Sequence, residues 1–207
     1  MPEPGANRLP LASASVALAC LLLATFPLSI TPWLEYDRSA ILGGQLWRLW
    51  TCHLVHYSTQ HALADASALF LVGVFAETLF GTRNTAAVLL VGAPAISVGL
   101  LLTAPGMEHF RGASALPVLL GVASGMSLWR SAPKLRPLLS ACCALLGVKI
   151  LLEAIGISFT LTGLPSGVEV AWQAHLLAIA SGAVWAKFGH PLLRHSQARS
   201  LVEMAPH

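Results

Sequence analysis

AHLLAIASGAVWA (174–186) contains one histidine, no formal charge and a small residue at every fourth position: Ala174, Ala178, Gly182 and Ala186. The stretch GASALPVLLGVASG (112–125) repeats that spacing with Ala113, Pro117, Gly121 and Gly125. Stripes of small residues let two apolar helices bring their backbones close together in lipid. If the two stripes face each other, Ser114 and His175 meet, because each lies one residue past the top of its stripe. The pattern predicts an all-α bundle with a serine–histidine pair near one end.

Composition sets the solvent. Of 207 residues, 56% are hydrophobic and only 10% charged, against roughly 25% charged in a soluble domain. Mean hydropathy is +0.71. These values predict a polytopic membrane protein. A net charge of +3 leaves no footprint for nucleic acid, and the length fits a single domain over 1–207. Cys20, Cys142 and Cys143 fall inside apolar runs and no C-x-x-C occurs. The cysteines therefore read as small buried hydrophobes, with no metal site or cofactor indicated.

Apolar stretches predict six transmembrane helices at 11–30, 61–80, 86–104, 114–130, 137–156 and 171–188. The first, LASASVALACLLLATFPLSI, has no small-x-small cleavage site before Trp33 and reads as a retained helix rather than a signal peptide. Lys and Arg in the connections set orientation. With the N-terminus inside, eight fall in cytoplasmic segments (Arg8, Arg83, Arg130, Lys134, Arg136, Lys187, Arg194, Arg199) and three outside (Arg38, Arg48, Arg111). Both termini are expected in the cytoplasm. The external segment 31–60 carries Trp33, Trp47, Trp50, Tyr36 and Tyr57 and is expected to lie in the outer interface, partly helical from Gln45.

In that orientation the second, fourth and sixth spans all begin at the outer face. His61, Asp65, Ser114 and His175 then share one depth. A serine needs a base such as His175 to become a nucleophile, and a helix N-terminus supplies N–H groups for an oxyanion. His61 and Asp65, four apart on one helix face, can donate to that oxyanion or orient one another. Burial favours a protonated, donating Asp65. Ser124 is a rival serine some three turns deeper and reads as a packing residue. His53 and His56 read as solvated or structural loop residues, and His109 as a loop residue without a partner. Lys149 and Glu153, also four apart, read as a self-neutralising structural ion pair, with a role in substrate handling as the alternative. Glu77 is expected to pair with Arg83 or to cap a loop.

WRLWTCHLVHYSTQHALAD (47–65), FRGASA (110–115) and AHLLAIASG (174–182) together resemble the signature of the rhomboid intramembrane serine proteases. The shared features are a Trp-Arg pair in the first loop, a histidine opening the second helix, a Gly-x-Ser element, and Ala-His on the last core helix. The resemblance covers residues 11–188 and implies a six-helix rhomboid-like bundle. It also implies Ser114 as nucleophile, His175 as base, and His61, Asp65 and Gly112 around the oxyanion and substrate. The chain departs from the pattern at Asp65, where many rhomboids have asparagine, at Ala115, which replaces a glycine, and at Ala178. Compact length, VKILLEAIG (148–156) and VEVAWQAHL (168–176) make it most similar to the rhombosortase branch. That likeness implies a bacterial inner-membrane enzyme with its site toward the periplasm. Its partners would be membrane-anchored exported proteins whose C-terminal tail has a Gly-Gly-type motif, an apolar helix and a basic end. Two other functions compete: an inactive rhomboid-like protein that binds membrane helices, and a small metal or proton transporter using the histidines.

Overall fold

The computed structural model describes residues 9–26, 29–157 and 170–189. In chain order they form α1 (Leu11–Leu23), α2 (Thr31–Leu34), β1 (Tyr36–Asp37), α3 (Arg38–Leu42), α4 (Arg48–Thr51), α5 (Thr59–Phe80), α6 (Thr82–Thr103), β2 (His109–Phe110), α7 (Ala115–Ser131), α8 (Arg136–Ala154) and α9 (Trp172–Phe188), with a 3-10 turn at Pro133–Leu135. The strands pair antiparallel, Tyr36 opposite Phe110.

Helices α7 and α9 make the most extensive pairing, but only the α9 stripe faces it. A Cβ on Gly121 would meet Val72 of α5, and one on Gly125 would meet Leu139 of α8. The expected face-to-face stripes are thus corrected on the α7 side, where Leu119 and Val122 line the seam. A Cβ built on Gly182 would lie 2.7 Å from the Leu119 carbonyl oxygen and 3.0 Å from Val122 Cβ. No side chain fits there, so the two backbones approach as closely as their atoms permit. The core continues outward from this seam through Leu119, Leu120, Ile96, Leu100 and Leu69, all buried. α1 packs on α5 in the same manner, with Ser13 filling the space beside Gly73.

Three units are long and apolar enough to cross a membrane: α5, α6, and Pro133–Ala154. α7 and α9 have 17 residues each and α1 has 13. Seventeen residues rise about 25 Å, short of a hydrocarbon core of about 30 Å. Among the described residues, length alone therefore does not reach the expected six full spans. The largest difference is at the first. Its apolar run continues to Ile30, but the helix stops at Leu23, where the amides of Thr25 and Phe26 turn back onto the carbonyls of Leu22 and Leu23. Residues 27–28 of that run lie outside the described residues, as do Arg8, Arg194 and Arg199 of the charge count and Val168-Glu169 of the family-like motif.

Two smaller expectations are corrected. Glu77 accepts the Ser13 amide at 2.8 Å and the Ser13 hydroxyl at 2.6 Å, so it caps α1 rather than pairing with Arg83. Cys142 and Cys143 are exposed on α8, whereas Cys20 and Cys52 are buried. Of the 19 residues of α8 only Ile150 is buried. The apolar residues that looked like core from sequence cover a face that no other helix among the described residues meets.

The 31–60 segment is built around Arg48. Its guanidinium donates to the carbonyls of Pro32 at 2.7 Å and Glu35 at 2.9 Å and to the Gln45 side chain at 2.8 Å. The segment docks on α6 where Pro94 interrupts that helix. Proline has no N–H for the carbonyl four residues back, which is Leu90. The Trp50 indole N–H donates to that carbonyl instead, at 2.9 Å. His53 Nε2 sits 3.1 Å from the Ala93 carbonyl and 3.1 Å from the Ser97 hydroxyl. His53 is thus structural, as expected of one of its two readings, and burial pushes its imidazole down to about 4.

Gly182→Val is expected to force α7 and α9 apart and to lower the melting temperature in detergent by several degrees, because the new side chain meets backbone. A disulfide or spin-label distance between the two helices reports the separation. An unchanged distance and melting temperature would mean that the seam is not held by close approach.

The second prediction concerns pH. Unfolded His53 takes a proton near its ordinary value of about 6.5, while the folded residue resists until about 4. The stability tied to neutral His53 is therefore complete above pH 6.5 and is lost as pH falls toward 4, on the order of 3 kcal/mol in all. Thermal unfolding followed from pH 7 to pH 4 in the parent and in His53→Gln is the measurement. An equally steep loss in the variant would assign the effect elsewhere.

Candidate active site

Gly112-Ala113-Ser114 links β2 to α7 and turns there by a positive φ of +131° at Gly112. That turn aims two successive amides in different directions. Gly112 N–H donates to the Cys52 carbonyl at 3.1 Å. Ala113 N–H donates to Asp65 Oδ2 at 2.8 Å. Ser114 then occupies the N-cap position of α7, yet its hydroxyl makes no capping bond. It faces α9 instead.

His175 lies in the first turn of α9 and is 1% exposed. Its Nε2 is 3.1 Å from Ser114 Oγ. The two residues are 61 positions apart in sequence and lie at the starts of two helices, and the α7–α9 seam below them fixes their separation. A serine hydroxyl at this distance can pass its proton to Nε2 when the oxygen attacks a carbonyl. In the first turn of α7 the Leu116 amide is taken by the Ala113 carbonyl at 2.8 Å and Pro117 has no N–H. The backbone donors next to the hydroxyl that an oxyanion could use are therefore those of Ser114 and Ala115. Ser124, the rival serine, is buried in α7 with its hydroxyl unpartnered among the described residues.

Beside this pair lies a second cluster. Asp65 Oδ2 is 3.2 Å from Nε2 of His61 and 3.2 Å from Nε2 of His56, in addition to the Ala113 amide. Ala113 N–H also lies 3.3 Å from His56 Nε2. It has one proton to give and Asp65 is the nearer acceptor, which leaves His56 Nε2 able to carry an N–H toward Asp65. All near neighbours of Oδ2 can thus present N–H groups. The expected role of Asp65 as a protonated donor gives way to that of an acceptor. His61 stacks on Tyr57 and meets His56 edge-on. Sequence reading left His56 in the loop as solvated or merely structural, but it is 7% exposed and belongs to this cluster. Its position five residues before His61, on the same approach to α5, was the available signal.

Lys149 and Glu153 form their pair on α8, through Lys149 Nζ and Glu153 Oε1. The pair is not self-contained. Glu153 Oε2 lies 2.9 Å from His175 Nδ1, and the Glu153 side chain is 5% exposed while that of Lys149 is 51% exposed. His109, expected to have no partner, lies 3.4 Å from Glu35, which also binds Arg111 at 2.6 Å. Arg111 in turn covers the Tyr57 ring. A cleft of about 610 Å³ opens next to this group, lined by Tyr57, Met107, Glu108, Val170, Trp172 and Gln173 among others. It borders the start of α9, two residues from His175. Among the described residues no group of three or more His, Cys, Asp or Glu side chains is placed to hold a metal ion.

Compared with known proteins, the chain matches the Rhomboid domain model over residues 43–192. That range takes in α4 to α9 and every residue of the two clusters. No curated protein matches the chain.

Gly112→Ala tests the turn. A Cβ there would stand 3.1 Å from His61 Cε1 and 3.2 Å from Asp65 Oδ2, at a φ that side chains rarely adopt. Such a backbone costs a non-glycine residue on the order of 1–3 kcal/mol. The variant should melt lower, and labelling of Ser114 by a fluorophosphonate should fall at least tenfold. Labelling and melting equal to the parent would show that the turn tolerates a side chain.

Proposed function

The chain belongs to the rhomboid family, and from that premise we propose that it is an intramembrane serine endopeptidase of the rhombosortase type. Its reacting groups are Ser114 and His175. The observation that carries this reading is the 3.1 Å contact between Ser114 Oγ and His175 Nε2 at the start of two apolar helices. Ser114 Oγ attacks the scissile carbonyl carbon while its proton passes to Nε2. The charge on the carbonyl oxygen is met by the Ser114 and Ala115 amides at the start of α7, while His61 gives its Nε2 N–H to Asp65 beside them. The C–N bond then breaks, and Nε2 returns the proton to the leaving amine. Water, activated by the same nitrogen, cleaves the resulting ester and frees the serine.

In this reading the chain is one rhomboid-like domain of six membrane helices with both termini in the cytoplasm of a bacterium. The site opens toward the periplasm, at the level of the Trp-bearing 31–60 segment. Its substrates are exported proteins held in the inner membrane by a C-terminal helix that follows a Gly-Gly-type motif and ends in basic residues. Asp65, as an acceptor, holds His56, His61 and the Ala113 amide in place around the site. The glycine after the serine in other rhomboids is Ala115 here. As the first residue of α7 it has ordinary helical backbone, so a methyl group there is compatible with the fold.

The test is cleavage of an epitope-tagged substrate carrying such a tail, in membranes that contain the parent protein or its variants. Ser114→Ala and His175→Ala should each abolish processing, and the double variant should be no worse than either, since residues acting as one unit are not additive. Loss of cleavage in Ser124→Ala with activity retained in Ser114→Ala would mean that the nucleophile is misassigned. Stable co-purification of the tailed protein with the parent, uncut, would favour the helix-binding alternative.

A further inference from the structure

On the reading that Ser114 and His175 react, we propose that Glu153 is a positioning residue that makes the pair a Ser–His–Glu triad, with Lys149 holding the second carboxylate oxygen. Three contacts stand in line: Ser114 Oγ to His175 Nε2 at 3.1 Å, His175 Nδ1 to Glu153 Oε2 at 2.9 Å, and Glu153 Oε1 to Lys149 Nζ. The side chains of His175 and Glu153 are 2% and 5% exposed, so water does not compete for the bond between them.

A neutral imidazole carries one N–H and one lone pair. A carboxylate oxygen at Nδ1 takes the N–H and leaves the lone pair on Nε2, facing the serine. Without that acceptor the ring is free to turn or to hold its proton at Nε2, where it cannot act as a base. When Nε2 takes the serine proton, the ring becomes cationic and Glu153 lies against the new charge. Before that, Lys149 offsets the carboxylate. Glu153 is turned inward, away from the exposed face of its own helix, and this orientation is not required for a self-contained i, i+4 pair.

The bond also joins two helices that otherwise meet little. α8 buries only Ile150, and Glu153 ties its outer end to α9. The third member of the triad is therefore supplied by the least embedded helix of the bundle.

The experiment uses the purified full chain and a fluorogenic tailed peptide, with kcat and KM measured separately. Glu153→Gln should lower kcat by about 100-fold or more with KM within about twofold, because substrate contacts are untouched. Glu153→Asp, which keeps the charge, should recover part of that loss. Nitrogen-15 NMR of labelled histidine in the parent should find His175 protonated at Nδ1 and not at Nε2, a measurement that does not depend on any variant folding. A kcat for Glu153→Gln within threefold of the parent, or an Nε2-protonated His175, overturns the triad while Ser114→Ala remains inactive. An active Ser114→Ala overturns instead the dyad reading on which the proposal stands.

Discussion

The contact on which the rest of the molecule depends has no side chain on one of its two sides. At Gly182 the α9 backbone lies so near the Leu119 carbonyl of α7 that even one carbon atom does not fit. In lipid there is little hydrophobic reward for bringing two apolar helices together, so close packing of backbones and buried polar bonds must do it. Here both occur on one seam. Gly182 below sets the interhelical distance, and the Ser114–His175 bond closes it above. Leu119 is also the residue that fills the space beside Gly92 of α6. The same side chain thus spaces α6 from α7, and the carbonyl of the same residue spaces α7 from α9.

Half of this seam could be read from the chain, on the α9 side, where Gly182 of the small-residue stripe meets α7. The α7 stripe turns toward Val72 and Leu139 instead, so Ser114 and His175 meet although only one of the two stripes lies between the helices. The ends of helices were less legible. Hydropathy runs on through Phe26 to Ile30, but the backbone turns at Leu23, and hydropathy does not register where hydrogen bonds stop. Glu153 was missed as a partner of His175 for a specific reason. Lys149, one helical turn away, offered a complete local account of the charge, and a side chain with two oxygens can serve two neighbours at once. Sequence spacing within a helix reveals the first neighbour and is silent on the second, which lies across helices. His56 was misjudged similarly, as a loop position whose burial depends on where the loop docks. For Asp65, burial alone argued for a neutral acid; the surrounding N–H groups reverse that argument, and they come from three separate elements.

The 31–60 segment shows how an irregular stretch can be as well anchored as a helix. Its turns are tied by the Arg48 guanidinium to backbone carbonyls of the same segment, and Cys52, His53 and Leu49 converge on the Ser97 hydroxyl of α6. Trp50 repairs the carbonyl that Pro94 leaves without a donor. Gly112 is bonded to this segment through Cys52, so the turn that presents Ser114 is held from the loop side as well as from α5.

α8 carries a consequence of another kind. With Leu138, Leu145, Val148 and Leu151 all exposed, most of the apolar area of this helix has no protein to rest against among the described residues. Its packing partner is whatever fills the surrounding membrane. Acyl chains then act as a changeable part of the core, and their length, order and lateral pressure enter the position of Glu153 in the way that a neighbouring side chain would. The protein is, in that respect, incomplete without its lipids: the helix that carries Glu153 is walled on its open side by a fluid.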